Sequence, residues 1–265
     1  MRKARDYKRL AAQRMFKGFG TLAGATAIYG GIYVVIVMAI LVAYTLNLVT
    51  QGVFASAGTM EMYMDEVRNS LKYYFTIQIV VMLVGAIMST ISVSIMYMCL
   101  KTARGQEIKL SDLLYVVKNN PDKVIIIYFI QELLMFLFSI PANMITMLID
   151  TKGNTALEIV SYALLIFGYV ADIYITTMFS QALFLYIDDP MENPIRCIEM
   201  SMHVMKKHIG RYIMLFISFI PLYVLAAFTF GIMYIWILPY QNTTFALFYM
   251  QLKGELGSTI DVTIQ

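Results

Sequence analysis

Residues 211–251 of the chain read RYIMLFISFIPLYVLAAFTFGIMYIWILPYQNTTFALFYMQ, and after Arg211 this run contains no charged side chain. An α-helix rises about 1.5 Å per residue, so roughly 20 residues cross a hydrocarbon core about 30 Å thick. The run is about twice that length. It must therefore fold back on itself.

The position of this turn decides how many times the chain crosses the membrane. A turn at residues 229–231, which read Thr-Phe-Gly, would separate one crossing at 211–228 from another at 232–252. The alternative ends one helix near Pro239 and leaves the remainder on the membrane surface. We favour the turn, which gives six crossings in total, over the alternative, which gives five.

The whole chain is similarly apolar. Of its 265 residues, 60% are hydrophobic and 14% are charged, whereas soluble proteins have about 45–50% and about 25%. This composition excludes a water-soluble domain and a disordered chain. Four earlier runs are long and apolar enough to cross a bilayer: 22–48, 75–98, 124–149 and 157–187. We therefore predict an all-α fold, a polytopic transmembrane helix bundle.

Lysine and arginine are unevenly divided between the two sides of this predicted bundle. Three of the 20, Arg68, Lys72 and Lys152, fall on one side, and all the others fall on the side that carries both termini. Because cytoplasmic loops carry the excess of basic residues, we expect both termini in the cytoplasm.

The predicted organisation is a basic cytoplasmic arm at 1–20, a single transmembrane domain at 21–252 and a cytoplasmic tail at 253–265. Apolar side chains recur at helical spacing among the cations of the arm: Tyr7, Leu10, Ala11, Met15 and Phe16. This pattern favours an amphipathic helix that lies on anionic lipid headgroups. The alternative is that the arm only sets the orientation of the chain.

Two cytoplasmic loops carry signals for short interfacial helices. Ser111 is placed to cap one helix, which would end before Pro121. Asn193 is placed to cap another, with Pro194 in its first turn.

Two acidic side chains lie inside predicted crossings. Glu132 falls in the third crossing, and Asp172 falls in the fourth, where Thr176 and Ser180 follow it at intervals of four residues. An ionised acid facing lipid at mid-helix costs about 2.5–3.5 kcal/mol. We expect both acids to face protein or water, either as an ion, proton or polar-substrate site or as protonated groups hydrogen-bonded to neighbouring helices.

A seam of small residues runs along the first crossing. Gly20, Gly24, Ala27 and Gly31 follow one another at spacings of four, three and four, which places them on one helix face. Small side chains let another backbone approach closely in a membrane. We expect this seam to meet another helix of the same chain, with a partner subunit as the second choice.

No motif in the sequence points to chemistry. We find no nucleophile with a base and an orienting group, no phosphate-binding loop and no metal-ligand pattern. The expectation is therefore a protein with no catalytic residues, no cofactor, no bound metal and no nucleic-acid partner.

Several runs in the second half of the chain resemble a known family. They are KLSDLLYVVKNN at 109–120, LYIDDPMENPIRCIEMSMHVMKKHIGRYIMLFISFIP at 185–221 and FTFGIMYIWILPYQNTTFALFYMQL at 228–252. They resemble the bacterial integral membrane family catalogued as domain of unknown function 975. The matching positions are Asp188, Asp189, Pro190, Ser201, Met205, Lys206, Lys207, His208, Thr229, Gly231, Ile232, Pro239, Tyr240, Phe248 and Tyr249.

This resemblance implies a bacterial plasma membrane location and supports the turn at 229–232, but it implies no activity. One departure is that Asp172 stands in a region where the family suggests a lysine among tyrosines. We expect a non-enzymatic accessory or scaffold subunit of a transport, export or envelope complex, with partner membrane proteins or further copies of itself. The alternative is a small transporter or channel that uses Glu132 and Asp172. An enzyme acting on lipid headgroups is the weakest reading.

Overall fold

The computed structural model describes residues 3–50, 71–148, 155–229 and 231–256, and the regular elements in these ranges are all helical. The α-helices are α1 Ala4–Met15, α2 Phe19–Thr50, α3 Leu71–Ala103, α4 Tyr115–Lys118, α5 Pro121–Leu148, α6 Thr155–Phe179, α7 Ala182–Asp188, α8 Pro194–Met205, α9 Ile209–Ile217, α10 Ile220–Phe228 and α11 Tyr234–Leu252. The predicted positions Arg68 and Lys152, and the tail beyond 256, lie outside the described residues.

The all-α prediction is confirmed. Five helical segments of the described chain are long and apolar enough to cross a membrane: Ala4–Ala43, Phe75–Ala103, Pro121–Ile145, Thr155–Asp188 and Ile209–Phe228. Helix α11 is the sixth candidate and carries a polar stretch at 241–244. Five to six crossings are therefore consistent with the helices of the protein.

Helices α9 and α10 form a hairpin with α11, as the turn signal predicts. Tyr212 stacks on Phe245 with ring centroids 4.9 Å apart, and Tyr223 lies 5.8 Å from Tyr234 nearer the turn. Gly231 adopts a φ of 84° at the turn. This left-handed conformation suits a residue without a Cβ atom.

Proline interrupts the hairpin. Pro221 lies in the first turn of α10, and the helix is broken at Ser218 and Phe219 just before it. A proline has no N–H to continue the helical ladder and its ring crowds the preceding turn. Pro239 and Pro141, in contrast, lie inside continuous helices α11 and α5.

Both short helical segments predicted for the cytoplasmic loops form, but only one begins where its sequence predicts. Asn193 caps α8, because its Oδ1 accepts a hydrogen bond of 2.9 Å from the Ile195 amide. Ser111 is not a cap. The 3₁₀ turn Leu110–Leu114 begins after Lys109, whose amide donates to Asp112 Oδ2 at 3.0 Å.

The described chain forms two compact units, and the predicted division into an arm, a single transmembrane domain and a tail stays a prediction. The first unit contains the described parts of Met1–Gly30, Ser89–Tyr128 and Thr176–Gln265. The second contains those of Gly31–Met88 and Phe129–Ile175.

The core of the first unit joins the beginning of the chain to α3. Buried side chains of one cluster come from α1, α2, α3 and the 3₁₀ turn: Met15, Leu22, Ala25, Ile95, Met98, Cys99 and Leu113. Cys99 is fully buried and its thiol donates to the Pro239 carbonyl of α11 at 3.7 Å. The apolar start of α2 therefore packs within this unit as well as forming part of a predicted crossing.

Aromatic contacts join the helices of the second unit. Phe136 of α5 contacts Phe75 of α3 with ring centroids 6.0 Å apart. Phe138 of the same helix lies 6.1 Å from Phe167 of α6. Side chains that face away from these contacts are apolar and exposed, as in a helix surrounded by lipid.

Replacing Gly231 tests the turn. We expect Gly231→Ala to lower the free energy of unfolding by about 1–2 kcal/mol, because a Cβ atom is strained at positive φ. Unfolding in mixed detergent micelles, followed by helical circular dichroism, measures this. Gly210→Ala, in α9 and with no atom within 4 Å of an added Cβ, should leave stability unchanged or slightly raised. An equal loss in both variants would show that the turn imposes no such strain.

Candidate functional site

The two intramembrane acids lie at the same level of the second unit. Helices α5 and α6 are joined by the short segment 149–154, and the contact between Phe138 and Phe167 sets their antiparallel register. Glu132 is six residues before Phe138 and Asp172 is five residues after Phe167. The two positions therefore lie at similar levels, within about two residues or roughly 3 Å along the helix axis.

Asp172 lies on the face of α6 that approaches α5. Gly168, one turn earlier, is buried, and a Cβ atom there would lie 3.6 Å from the Phe138 carbonyl oxygen. Asp172 Oδ1 is buried and accepts no hydrogen bond from the described residues. Glu132 is half-buried. Both acids are thus partly covered within the second unit, and their role as an intramembrane site stays a prediction.

Thr176 and Ser180 do not extend this arrangement. The Thr176 side chain is exposed. Ser180 lies where α6 ends, donates to the Thr177 carbonyl at 2.7 Å and accepts from Gln181 Nε2 at 2.9 Å. Ser180 is thus used in the local break between α6 and α7.

The small-residue seam is not covered by another helix among the described residues. Gly20, Ala27 and Gly31 are exposed, and a Cβ atom at Gly20 or Gly31 would meet no atom within 4 Å. At Gly24 the nearest atom would be Leu110 Cδ1, at 3.9 Å. This differs from the expected contact within the chain.

The physical reason is that α2 packs through larger side chains beside the seam. Leu22, Ala25 and Thr26 are buried in the first unit, since they bring more apolar area to the contact than glycine does. The alternative for the seam, a contact with a partner subunit, stays a prediction.

The basic arm forms the predicted amphipathic helix α1, but its apolar face packs on protein. Tyr7 and Met15 are buried. The Tyr7 ring meets Phe248 of α11 edge-on at 5.9 Å, and its hydroxyl donates to Gln251 Oε1 at 3.2 Å. Tyr7 and Met15 of this face therefore contact protein, and the predicted contact between the arm and anionic headgroups stays a prediction.

A cluster of charged side chains joins three segments of the first unit. Asp188 ends α7, and Arg104 follows α3; Arg104 Nη1 lies 2.8 Å from Asp188 Oδ1. Lys253, after α11, places Nζ 2.6 Å from Asp188 Oδ2. Arg104 also pairs with Glu255 at 2.9 Å. Tyr249 donates its hydroxyl proton to Asp188 at 2.6 Å.

This charged cluster, formed by Arg104, Asp188, Tyr249, Lys253 and Glu255, holds its cations in the protonated form. The hydrogen bond to Asp188 raises the pKa of Lys253 above its ordinary value although burial opposes this. Burial lowers the pKa of Arg104, but the bonds to Asp188 and Glu255 outweigh it and raise that pKa overall. The cluster therefore acts as a network of ion pairs that joins three segments of the chain.

Other positions that carry the family resemblance also make internal contacts. Ser201 is fully buried, donates to the Met178 carbonyl at 2.6 Å and accepts from the Gln181 amide at 3.2 Å. Thr229 donates to the Ala226 carbonyl at 2.9 Å. These residues stabilise helix ends.

Sequence reasoning missed the partners in the charged cluster. The resemblance pointed to Asp188 and Tyr249, but Arg104 and Lys253 carried no signal of their own. They are 84 and 65 residues from Asp188 in sequence, and nothing local predicts pairing over such separations. In the described ranges, no group of three or more His, Cys, Asp or Glu side chains is placed to hold a metal ion.

The apolar helices and their contacts define a helical membrane protein. Comparison with family profiles identifies the family: the profile described as "Protein of unknown function (DUF975)" matches residues 32–255. The chain therefore belongs to the DUF975 family. No curated protein and no solved structure matches it.

Replacing Asp188 tests the charged cluster. We expect Asp188→Asn to lower the free energy of unfolding by about 1–2 kcal/mol, because two cations and a tyrosine hydroxyl lose their shared carboxylate. Thermal unfolding in detergent at low and high salt measures the effect, which should shrink with salt. The matched control is Asp189→Asn. The Asp189 side chain is exposed, and among the described residues its one hydrogen bond is accepted from the Met191 amide at 3.1 Å. Similar losses in both variants would contradict a special role for Asp188.

Proposed function

We propose that this protein is a non-enzymatic accessory or scaffold subunit of a bacterial membrane complex for transport, export or envelope assembly. The proposal is supported by the use of the polar family positions in internal contacts. Asp188, Ser201 and Tyr249 all bond to other groups of the first unit. Such contacts favour a stable framework over a reactive site.

We further propose that the protein lies in the plasma membrane with both termini in the cytoplasm. The strong bias of lysine and arginine to one predicted side supports this orientation. The contact of α1 near the amino terminus with Gln251 near the end of α11 agrees with it. The exposed Arg5 and Arg9 of the arm are then available to anionic headgroups.

The uncovered seam on α2 is the observation that carries the scaffold proposal. Gly20, Ala27 and Gly31 share one helix face and are exposed in the described chain. In lipid, helices associate by close packing, and small residues allow it. This face therefore suits a helix of a partner membrane protein or of a second copy.

Filling the seam should disrupt such a complex and leave the fold intact. We expect Gly20→Leu combined with Gly31→Leu to reduce co-purification of the partner from native membranes by roughly ten-fold, equivalent to about 1.4 kcal/mol. The open space at both positions lets this chain accept the larger side chains.

Gly30→Leu is the matched control for the seam variants. Gly30 also has no atom within 4 Å of an added Cβ, but its position on α2 is displaced from the seam face. Unchanged recovery of every protein in the seam variant, with unchanged thermal stability, would refute the scaffold proposal.

A second candidate function is a small transporter or channel. It is favoured by one specific observation: two acids lie at the same level of the second unit, and Asp172 Oδ1 is buried without a hydrogen bond from the described residues. A buried polar atom without a partner is costly. A transported proton or cation would satisfy it.

Neutralising both acids tests this second function. A bundle that moves a proton or cation through them should lose its flux in Glu132→Gln combined with Asp172→Asn, because the charged or protonatable groups are gone. Flux into proteoliposomes, with fluorescent pH and cation reporters, is the measurement. Glu199→Gln, on an exposed position of α8, is the control. Wild-type flux that survives in the double variant would exclude the acids as the pathway.

A further inference from the structure

An apolar groove of about 430 Å³ opens in the first unit between the arm and the hairpin. Met15, Phe16 and Phe19 line one side, and Leu222, Met233 and Trp236 line the other. Its volume lies within the roughly 300–1,000 Å³ of ordinary ligand sites. Its walls are almost entirely apolar, so its occupant must be apolar where it touches them.

Two aromatic residues that line the groove are exposed. Phe16 is 87% exposed and Trp236 is 45% exposed. Large apolar side chains exposed together mark a surface that contacts protein or membrane. Because the walls belong to a membrane protein, lipid chains are the apolar medium at hand.

Two arginines lie on the same face of the arm as the groove-lining residues Ala12 and Phe16, toward the amino terminus. Arg5, Arg9, Ala12 and Phe16 follow at spacings of four, three and four, and so lie on one face of the helical arm. Arg5 and Arg9 are exposed, and among the described residues neither makes an ion pair. Two positive charges thus lie near one end of the apolar groove.

The spacing of these groups matches the order of groups in a phospholipid. Arg9 and Phe16 are seven residues apart, about 10 Å along the helix. A phosphate at the arginines would therefore be followed by a chain lying along Ala12 and Phe16 toward Trp236. A zwitterionic headgroup would gain less from this site, because it carries no net negative charge.

We propose that the groove binds one acyl chain of an anionic phospholipid whose phosphate lies against Arg5 and Arg9. The inference rests on the proposed contact between the arm and anionic headgroups and specifies the site at which one lipid is held. The α1 face that carries Tyr7 packs on α11, whereas the proposed lipid site uses the face of the arm that carries Arg5, Arg9 and Phe16.

Trp236 reports on the groove, because it is the single tryptophan of the chain. The protein is reconstituted in two sets of phosphatidylcholine vesicles. One set contains a minor fraction of phosphatidylglycerol brominated on its acyl chains, and the other contains the same fraction of phosphatidylcholine brominated on its acyl chains. Bromine quenches tryptophan fluorescence on contact. We expect occupancy by the brominated anionic lipid to be favoured by roughly five-fold for each arginine that contacts its headgroup.

Two sets of variants separate the headgroup contact from the chain contact. Arg5→Gln combined with Arg9→Gln should abolish the preference for the anionic lipid, whereas Lys17→Gln, an exposed cation off this face, should preserve it. Ala12→Leu narrows the groove and should reduce quenching by both brominated lipids. Thermal unfolding confirms that each variant is folded.

Equal quenching by the two brominated lipids, or quenching unaffected by Ala12→Leu, would overturn the groove proposal. A second measurement distinguishes failure of the groove proposal from failure of the proposed arm contact. It is the fraction of spin-labelled phosphatidylglycerol that the protein immobilises. If the double arginine variant lowers that fraction while Trp236 shows no preference, the arm contacts anionic lipid but the groove does not hold it. If neither readout changes, both proposals fail.

Discussion

Backbone groups in a membrane need partners within the protein, because hydrocarbon provides none. Pro221 has no N–H to donate, and Leu222 donates to the Phe219 carbonyl at 2.9 Å, so neither residue bonds the Ser218 carbonyl. The Lys8 ammonium of the arm donates to this carbonyl and lies 4.0 Å from the centre of the Phe219 ring. The break in the hairpin therefore leaves the Ser218 carbonyl available to the arm. The groove lies between the arm and the hairpin that this hydrogen bond joins.

The family positions are informative about folding more than about chemistry. Gly231 allows the hairpin to turn, Ser201 joins α8 to the end of α6, and Asp188 with Tyr249 joins α7 to α11. Each contact links segments that are distant in sequence or sharply turned. A family signature built from such residues describes a shared framework.

The sequence predicted the helices well because long apolar runs have few alternatives in a bilayer. The turn at Gly231 and the cap at Asn193 were likewise predictable, since both depend on neighbouring residues. The docking of α1 was not, because Tyr7 and Gln251 are 244 residues apart. An amphipathic pattern shows that one face will be covered, but it does not distinguish a lipid surface from a helix of the same chain.

The docking of α1 on α11 also imposes an order on biosynthesis. Ribosomes make the arm before its covering helix, so Tyr7, Ala11 and Met15 are uncovered while the intervening chain is synthesised. During this interval the apolar side of the amphipathic helix can be buried at the boundary between the lipid headgroups and the acyl chains. A chain that terminates before α11 leaves Tyr7, Ala11 and Met15 exposed. Exposed apolar surface of this kind is prone to aggregation and is bound by chaperones.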